Sequence, residues 1–164
     1  MNTPSWEDYF MTMAYLVASR SKDESTHIGA VIVGHDNEVI STGYNSFPRR
    51  IVDTVPERQE RPEKYFWFEH AERNAIYNAA RIGVSTLETT MYTNGLPCMD
   101  CARAVIQAGI STVVIDSDWM DDVSEKWKEH HLRTMTLFRE AHIEVVSWKP
   151  TLVDIVRVKQ GKQF

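Results

Sequence analysis

Thr112-Val113-Val114-Ile115, a helical stretch from Ser124 to about Ala141, and Ile143-Glu144-Val145-Val146-Ser147-Trp148 together decide the fold class. Two short runs rich in β-branched residues read as strands, and the longer amphipathic stretch between them reads as a helix. A direct hairpin would force the two strands antiparallel. A helix of this length lets them run parallel through a right-handed crossover.

Working outward, Thr89 to Thr93 reads as the preceding strand, and Cys98 to Ala108 as a helix that opens after Pro97 and stops at Gly109. His70 to Ile82 reads as another helix, with Gly83 as its C-cap. Ile28 to Val33 and Val39 to Tyr44, joined by His35-Asp36-Asn37-Glu38, read as a hairpin. Ser5 to Ser19 carries Trp6, Tyr9, Phe10, Met13, Leu16 and Val17 at helical spacing, with Ser5 as N-cap. The order α-β-β-α-β-α-β-α-β predicts a three-layer α/β/α fold. Its five-stranded mixed sheet has strands four and five parallel and helices on both faces. Ser46 to Phe68 has three prolines and no clean period, so it reads mainly as a long loop. Leu152-Val153-Asp154-Ile155-Val156, in the tail, could dock on another surface. The 164 residues are expected to form one domain, residues 1–164, with a core of about 5–148 and a tail of 149–164.

Composition narrows the function. A net charge of −5 argues against a nucleic-acid polymer as partner, which would need clustered Lys and Arg. No apolar run approaches a membrane span, and the polar, acidic start is unlike a secretory signal. Both cysteines lie in a single C-x-x-C, which leaves none for a disulfide framework and points to the cytoplasm.

His70-Ala71-Glu72 and Pro97-Cys98-Met99-Asp100-Cys101 carry the chemistry. One imidazole and two thiolates fill three of zinc's four tetrahedral positions, and an open fourth position marks a catalytic site. His70 and Glu72 are expected in the first turn of one helix, Cys98 and Cys101 in the first turn of the next. Positions i and i+3 share a helix face, and a helix N-terminus favours the thiolate. Ala71 and Ala102 leave room beside the metal. Zinc lowers the pKa of its water to about 7, giving hydroxide as the nucleophile. Glu72 then serves as proton shuttle in the removal of an exocyclic amine from a heteroaromatic ring.

Other readings compete at these residues. C-x-x-C also occurs as a redox pair. A structural zinc would need a fourth protein ligand, for which His130, His131 and His142 are candidates. Asp116, Asp118, Asp121 and Asp122 could suggest a cation site but suit the capping of the following helix better.

His70-Ala71-Glu72-Arg73-Asn74-Ala75-Ile76 and Leu96-Pro97-Cys98-Met99-Asp100-Cys101 resemble the zinc motifs of the cytidine and deoxycytidylate deaminase superfamily. Ser5-Trp6-Glu7-Asp8-Tyr9-Phe10-Met11, Arg20-Ser21-Lys22-Asp23 and Ser41-Thr42-Gly43-Tyr44-Asn45 are similar to its deoxycytidylate (dCMP) branch. The resemblance implies a cytidine-deaminase-like fold and conversion of dCMP to dUMP and ammonia. It implies one Zn2+ on His70, Cys98 and Cys101, with Glu72 as shuttle. It also implies contact of Asn45 with the substrate's sugar, and a homo-oligomer, most often a hexamer. dCTP and dTTP are the effectors it suggests, with Mg2+ accompanying a triphosphate. Alternative substrates within the superfamily are 5-substituted dCMP, dCTP, deoxycytidine or tRNA adenosine. A non-catalytic zinc-stabilised module is a further alternative, against which Glu72 argues.

Two departures stand out. Ser46 replaces the usual glycine and is followed by Phe47-Pro48-Arg49-Arg50, where the arginines are candidates to meet a phosphate. Arg58 and Arg61 compete for that role. Trp119 stands where relatives often place a tyrosine near the substrate, so Ala71, Trp119, Arg49 and Arg50 join Asn45 as candidate substrate contacts.

Overall fold

Ser5 starts the first helix by accepting the Asp8 N–H on its hydroxyl at 3.1 Å, which satisfies one of the donors a helix start leaves free. The computed structural model describes residues 3–121, 125–160 and 162–163. In chain order the elements are α1 (Trp6–Ala18), β1 (Gly29–Val33), β2 (Val39–Tyr44), a 3-10 turn (Pro56–Gln59), α2 (Lys64–Trp67), α3 (Ala71–Ile82) and β3 (Thr90–Thr93). They continue with α4 (Met99–Gln107), β4 (Thr112–Asp116), α5 (Ser117–Asp121), α6 (Glu125–Glu140), β5 (Glu144–Trp148) and a two-residue hairpin, β6 (Val158–Lys159) and β7 (Lys162–Gln163).

The main sheet has the order β2-β1-β3-β4-β5. β1 pairs antiparallel with β2 and β3, whereas β3–β4 and β4–β5 are parallel, as the α6 crossover predicts. Strand alternation divides the core. Ala30, Ile32, Met91, Val113 and Ile115 face α3, α4 and Phe138 of α6. Val31, Val33, Tyr92 and Val114 face Phe10, Met11 and Ala14 of α1. Period-2 side-chain direction thus builds two cores from one set of strands.

Gly43 fixes how closely α3 approaches the sheet. A Cβ there would lie 2.3 Å from both the Ala71 carbonyl oxygen and the Ala75 nitrogen. Only glycine admits this contact, which brings the start of α3 down onto the end of β2.

Three expectations need correction. The stretch Ser46 to Phe68 is not a plain loop. It holds the 3-10 turn and α2, and its neck is closed by Ser46 N–H to Glu69 O at 3.0 Å and Glu69 N–H to Ser46 O at 2.8 Å. His70 and Cys98 are the N-caps of α3 and α4, one residue before the first turn. A short helix, α5, directly follows β4. Ser124, the expected start of the long helix, and Asp122 lie outside the described residues. The tail docks on α1 through its backbone: Thr151 N–H donates to Asp8 and Val153 N–H to Thr12, while Leu152 and Ile155 stay exposed.

Candidate active site

The starts of α3 and α4 converge beyond the ends of β2 and β3 and the start of β1. His70 Nδ1 lies 3.4 Å from Cys98 Sγ and 3.5 Å from Cys101 Sγ. The ligand atoms of these three residues all lie within 4.8 Å of one another. A tetrahedral zinc with ordinary Zn–N and Zn–S bonds separates such atoms by about 3.6 Å, so the donor set and its spacing fit that ion. Cys98 is pushed down to about 3, first by the hydrogen bond it accepts from Cys101 and then by His70. Cys101, as donor in that pair, is pushed up, and His70 is raised to about 9, chiefly by its bond with Cys98. Zinc takes both sulfurs as thiolates, so its binding releases protons.

Glu72 is 3% exposed in the first turn of α3. Burial pushes its carboxyl above the usual range. Outside this cluster, Arg73 joins the two helix starts. Its guanidinium lies 2.5 Å from Glu69 and 3.8 Å from Asp100 of α4.

The cluster opens on a cavity of about 420 Å3 lined by Ala71, Glu72, Asn45 and Trp119, together with Phe68, Arg61, Lys64 and His131. Sequence-predicted residues His70, Cys98, Cys101, Glu72, Ala71, Asn45 and Trp119 therefore come together. Trp119 is 37% exposed and donates its indole N–H to the Tyr15 hydroxyl at 3.1 Å; that hydroxyl in turn donates to Asp116. Arg49 and Arg50 do not reach the cavity. Arg49 donates to Asn78 of α3, whose amide donates in turn to the Thr42 carbonyl of β2, and Arg50 is an exposed turn residue with φ 69°. Arg58 stacks over Trp67 and donates to the Val52 carbonyl. Of the four arginines weighed, Arg61 alone lines the cavity, and it has no hydrogen bond or ion pair among the described residues. Asp116 accepts the Asp118 N–H and so caps the turn into α5.

Several cavity residues were not picked out from the sequence, Lys64 and Phe68 among them. Lys64 is buried against Asp23, and its only signal was the charge density of the loop that carries it. His131, a candidate fourth ligand on the sequence, is half-buried at the cavity and is not part of the His70–Cys98–Cys101 group.

Residues 4–117 match the family model described as the cytidine and deoxycytidylate deaminase zinc-binding region. The chain belongs to that family. A probable deoxycytidylate deaminase of Drosophila melanogaster is 42% identical over 69% of this chain and 60% of its own length. The human deoxycytidylate deaminase is 39% identical over 73% of this chain and 69% of its own. An uncharacterised deaminase of Aliivibrio fischeri is 39% identical over 93% and 97%. The chain thus spans between about 60% and nearly all of these relatives' lengths. Among solved structures, the dCMP deaminase of the cyanophage S-TIM5 in complex with dCMP and dUMP superposes with a TM-score of 0.69 at 20% identity, covering 90% of this chain and all of the other. That likeness shows the fold: the mixed sheet with β3–β4–β5 parallel is the cytidine-deaminase architecture. The family is a zinc-binding one, and His70, Cys98 and Cys101 are the group among the described residues that can hold the ion. No helix among them is long and apolar enough to cross a membrane.

Proposed function

We propose that the protein deaminates dCMP hydrolytically, giving dUMP and ammonia. The observation that carries this reading is the three-ligand group with buried Glu72 at the floor of a cavity large enough for a nucleotide. Zinc held there would supply a water that ionises near neutral pH. Glu72, in a site where burial brings its two protonation states closer in energy at neutral pH, takes the proton from the attacking water. It passes that proton to the ring nitrogen, then takes the remaining proton of the newly bound hydroxyl and passes it to the departing amine. A C–O bond forms, the C–N bond breaks, and ammonia leaves. Phe68 and Trp119 offer aromatic faces to the ring. Ala71 keeps the start of α3 clear for it, and Asn45 meets the sugar.

The phosphate falls to Arg61, in place of Arg49 and Arg50. A guanidinium at the cavity wall with no partner among the described residues is matched to a terminal phosphate, which it can bind bidentately. On this reading residues 1–164 form one deaminase domain working in the cytoplasm, where thiolates persist. Homo-oligomerisation, a hexamer by resemblance, is checked by sedimentation. Response to dCTP or dTTP, with its Mg2+, is checked by titrating each into the assay.

The experiment follows loss of cytosine absorbance for dCMP, 5-methyl-dCMP, dCTP, CMP and deoxycytidine. Turnover of dCMP with little on deoxycytidine is expected. Arg61→Gln raises KM for dCMP about tenfold or more with kcat nearly kept. Equal turnover of nucleoside and nucleotide by the wild type would overturn the phosphate assignment.

A further inference from the structure

Part of the cavity wall is a buried polar network of Asn45, Asp23 and Lys64 that moves no proton in the reaction. Asn45 is 7% exposed at the end of β2. Its side-chain NH2 donates to the Thr26 carbonyl at 2.8 Å and to Asp23 Oδ2 at 3.4 Å. Its Oδ1 accepts the Ile28 N–H at 2.8 Å. An amide side chain has two donors and an acceptor with two lone pairs. Both donors are therefore spent inside the protein, and one lone pair of Oδ1 remains.

The carboxylate beside Asn45 is itself held. Lys64 Nζ lies 2.9 and 2.8 Å from the two Asp23 oxygens and 2.7 Å from Ser25 Oγ, which accounts for all three ammonium protons. Asp23 and Lys64 are each 6% exposed. Lys64 is thus saturated and unavailable to an anion in the cavity. Its charge keeps Asp23 ionised, and an ionised Asp23 admits only one orientation of the neighbouring amide. Turned over, Asn45 would set its oxygen against the carboxylate and the Thr26 carbonyl, and would strand the Ile28 N–H. Unpaired groups in such surroundings cost about 1–3 kcal/mol each.

We infer that Asp23 and Lys64 are a positioning pair, locking Asn45 as a pure acceptor that reads a hydroxyl donor on the ligand. Lys64 also ties the 46–69 excursion to the α1–β1 connection, so the cavity wall and the hydroxyl acceptor are set by one ion pair. The inference rests on the nucleotide reading of the cavity, where the 3′-hydroxyl of a deoxynucleotide is the donor to be read.

The test compares dCMP with its 3′-deoxy analogue, 2′,3′-dideoxycytidine 5′-monophosphate, in wild type and Lys64→Met, with zinc content and melting temperature measured on both. The wild type should prefer dCMP by about tenfold or more in kcat/KM, mainly through KM. In Lys64→Met this preference should fall to within about twofold, through a larger loss on dCMP than on the analogue. Equal loss on both substrates, or a preference that survives in the variant, would assign the pair a purely structural role and overturn the inference. Should Lys64→Met not fold, the wild type still decides: absence of a preference for the 3′-hydroxyl removes the acceptor role. Failure of the wild type on both compounds would instead overturn the nucleotide reading beneath it.

Discussion

At the residue scale, the same side-chain type meets opposite fates according to what stands beside it. Arg49, Arg50, Arg58 and Arg61 are equivalent on paper; hydrogen bonds and stacking occupy Arg49 and Arg58, Arg50 faces solvent, and Arg61 lines the cavity. Asp23 shows why burial alone does not set a charge state. Desolvation pushes its carboxyl up, but hydrogen bonds from Lys64 and Ser25 more than reverse this, and the folded pKa lies below the usual value. A carboxyl depressed in this way stabilises the fold fully above its unfolded pKa of about 3.9, and the contribution is lost as pH falls through the lower folded value. Urea melts from pH 6 to pH 3 should therefore show wild type losing more stability on acidification than Lys64→Met, so that the variant's deficit shrinks as pH falls. Superimposable acid profiles would mean that the pair is not formed. The candidate zinc ligands were legible from spacing because their chemistry is local, two thiols three residues apart and a histidine two before a glutamate. The Asp23–Lys64 pair was not, since its partners lie 41 residues apart and a lysine gives no sign of burial until its counter-ion is placed.

At the scale of elements, legibility followed periodicity. Both core strands of the parallel half, the hairpin, and helices α1, α3, α4 and α6 carry β-branched runs or three- and four-residue apolar spacing, and all stand where those signals put them. The short helices α2 and α5 span four and five residues, too few for a period to register. The one-residue displacement of His70 and Cys98 to N-cap positions has a physical reason as well. At the N-cap the backbone is extended, with ψ of 154° and 172°, which frees the side chain to turn across the helix end toward the metal position. The approach of α3 to β2 has its own check. Gly43→Ala places a methyl group against backbone atoms that cannot rotate away, so it should cost about 1–3 kcal/mol in denaturant unfolding and lower zinc retention by lifting the start of α3. A stability change under about 0.5 kcal/mol with full zinc occupancy would show that the two elements have more slack than their contact implies.

Across the whole molecule, one sheet separates two tasks. Its α1 face is packed by Phe10, Met11 and Tyr92 and also anchors the tail, where Asp8 accepts from Trp148 and Thr151. Its opposite face carries α3 and α4, whose N-terminal ends bring the three candidate metal ligands and Glu72 together at the sheet's end. The family and the architecture follow from that arrangement, and the proposed reaction turns on whether one buried carboxyl moves protons there. The most direct measurement is ammonia release from dCMP by zinc-loaded wild type and Glu72→Gln, with zinc per chain determined in both. The account predicts one zinc per chain in each protein and a fall in kcat of about 10²–10⁴-fold in the variant. Turnover undiminished in Glu72→Gln at full zinc occupancy would contradict it.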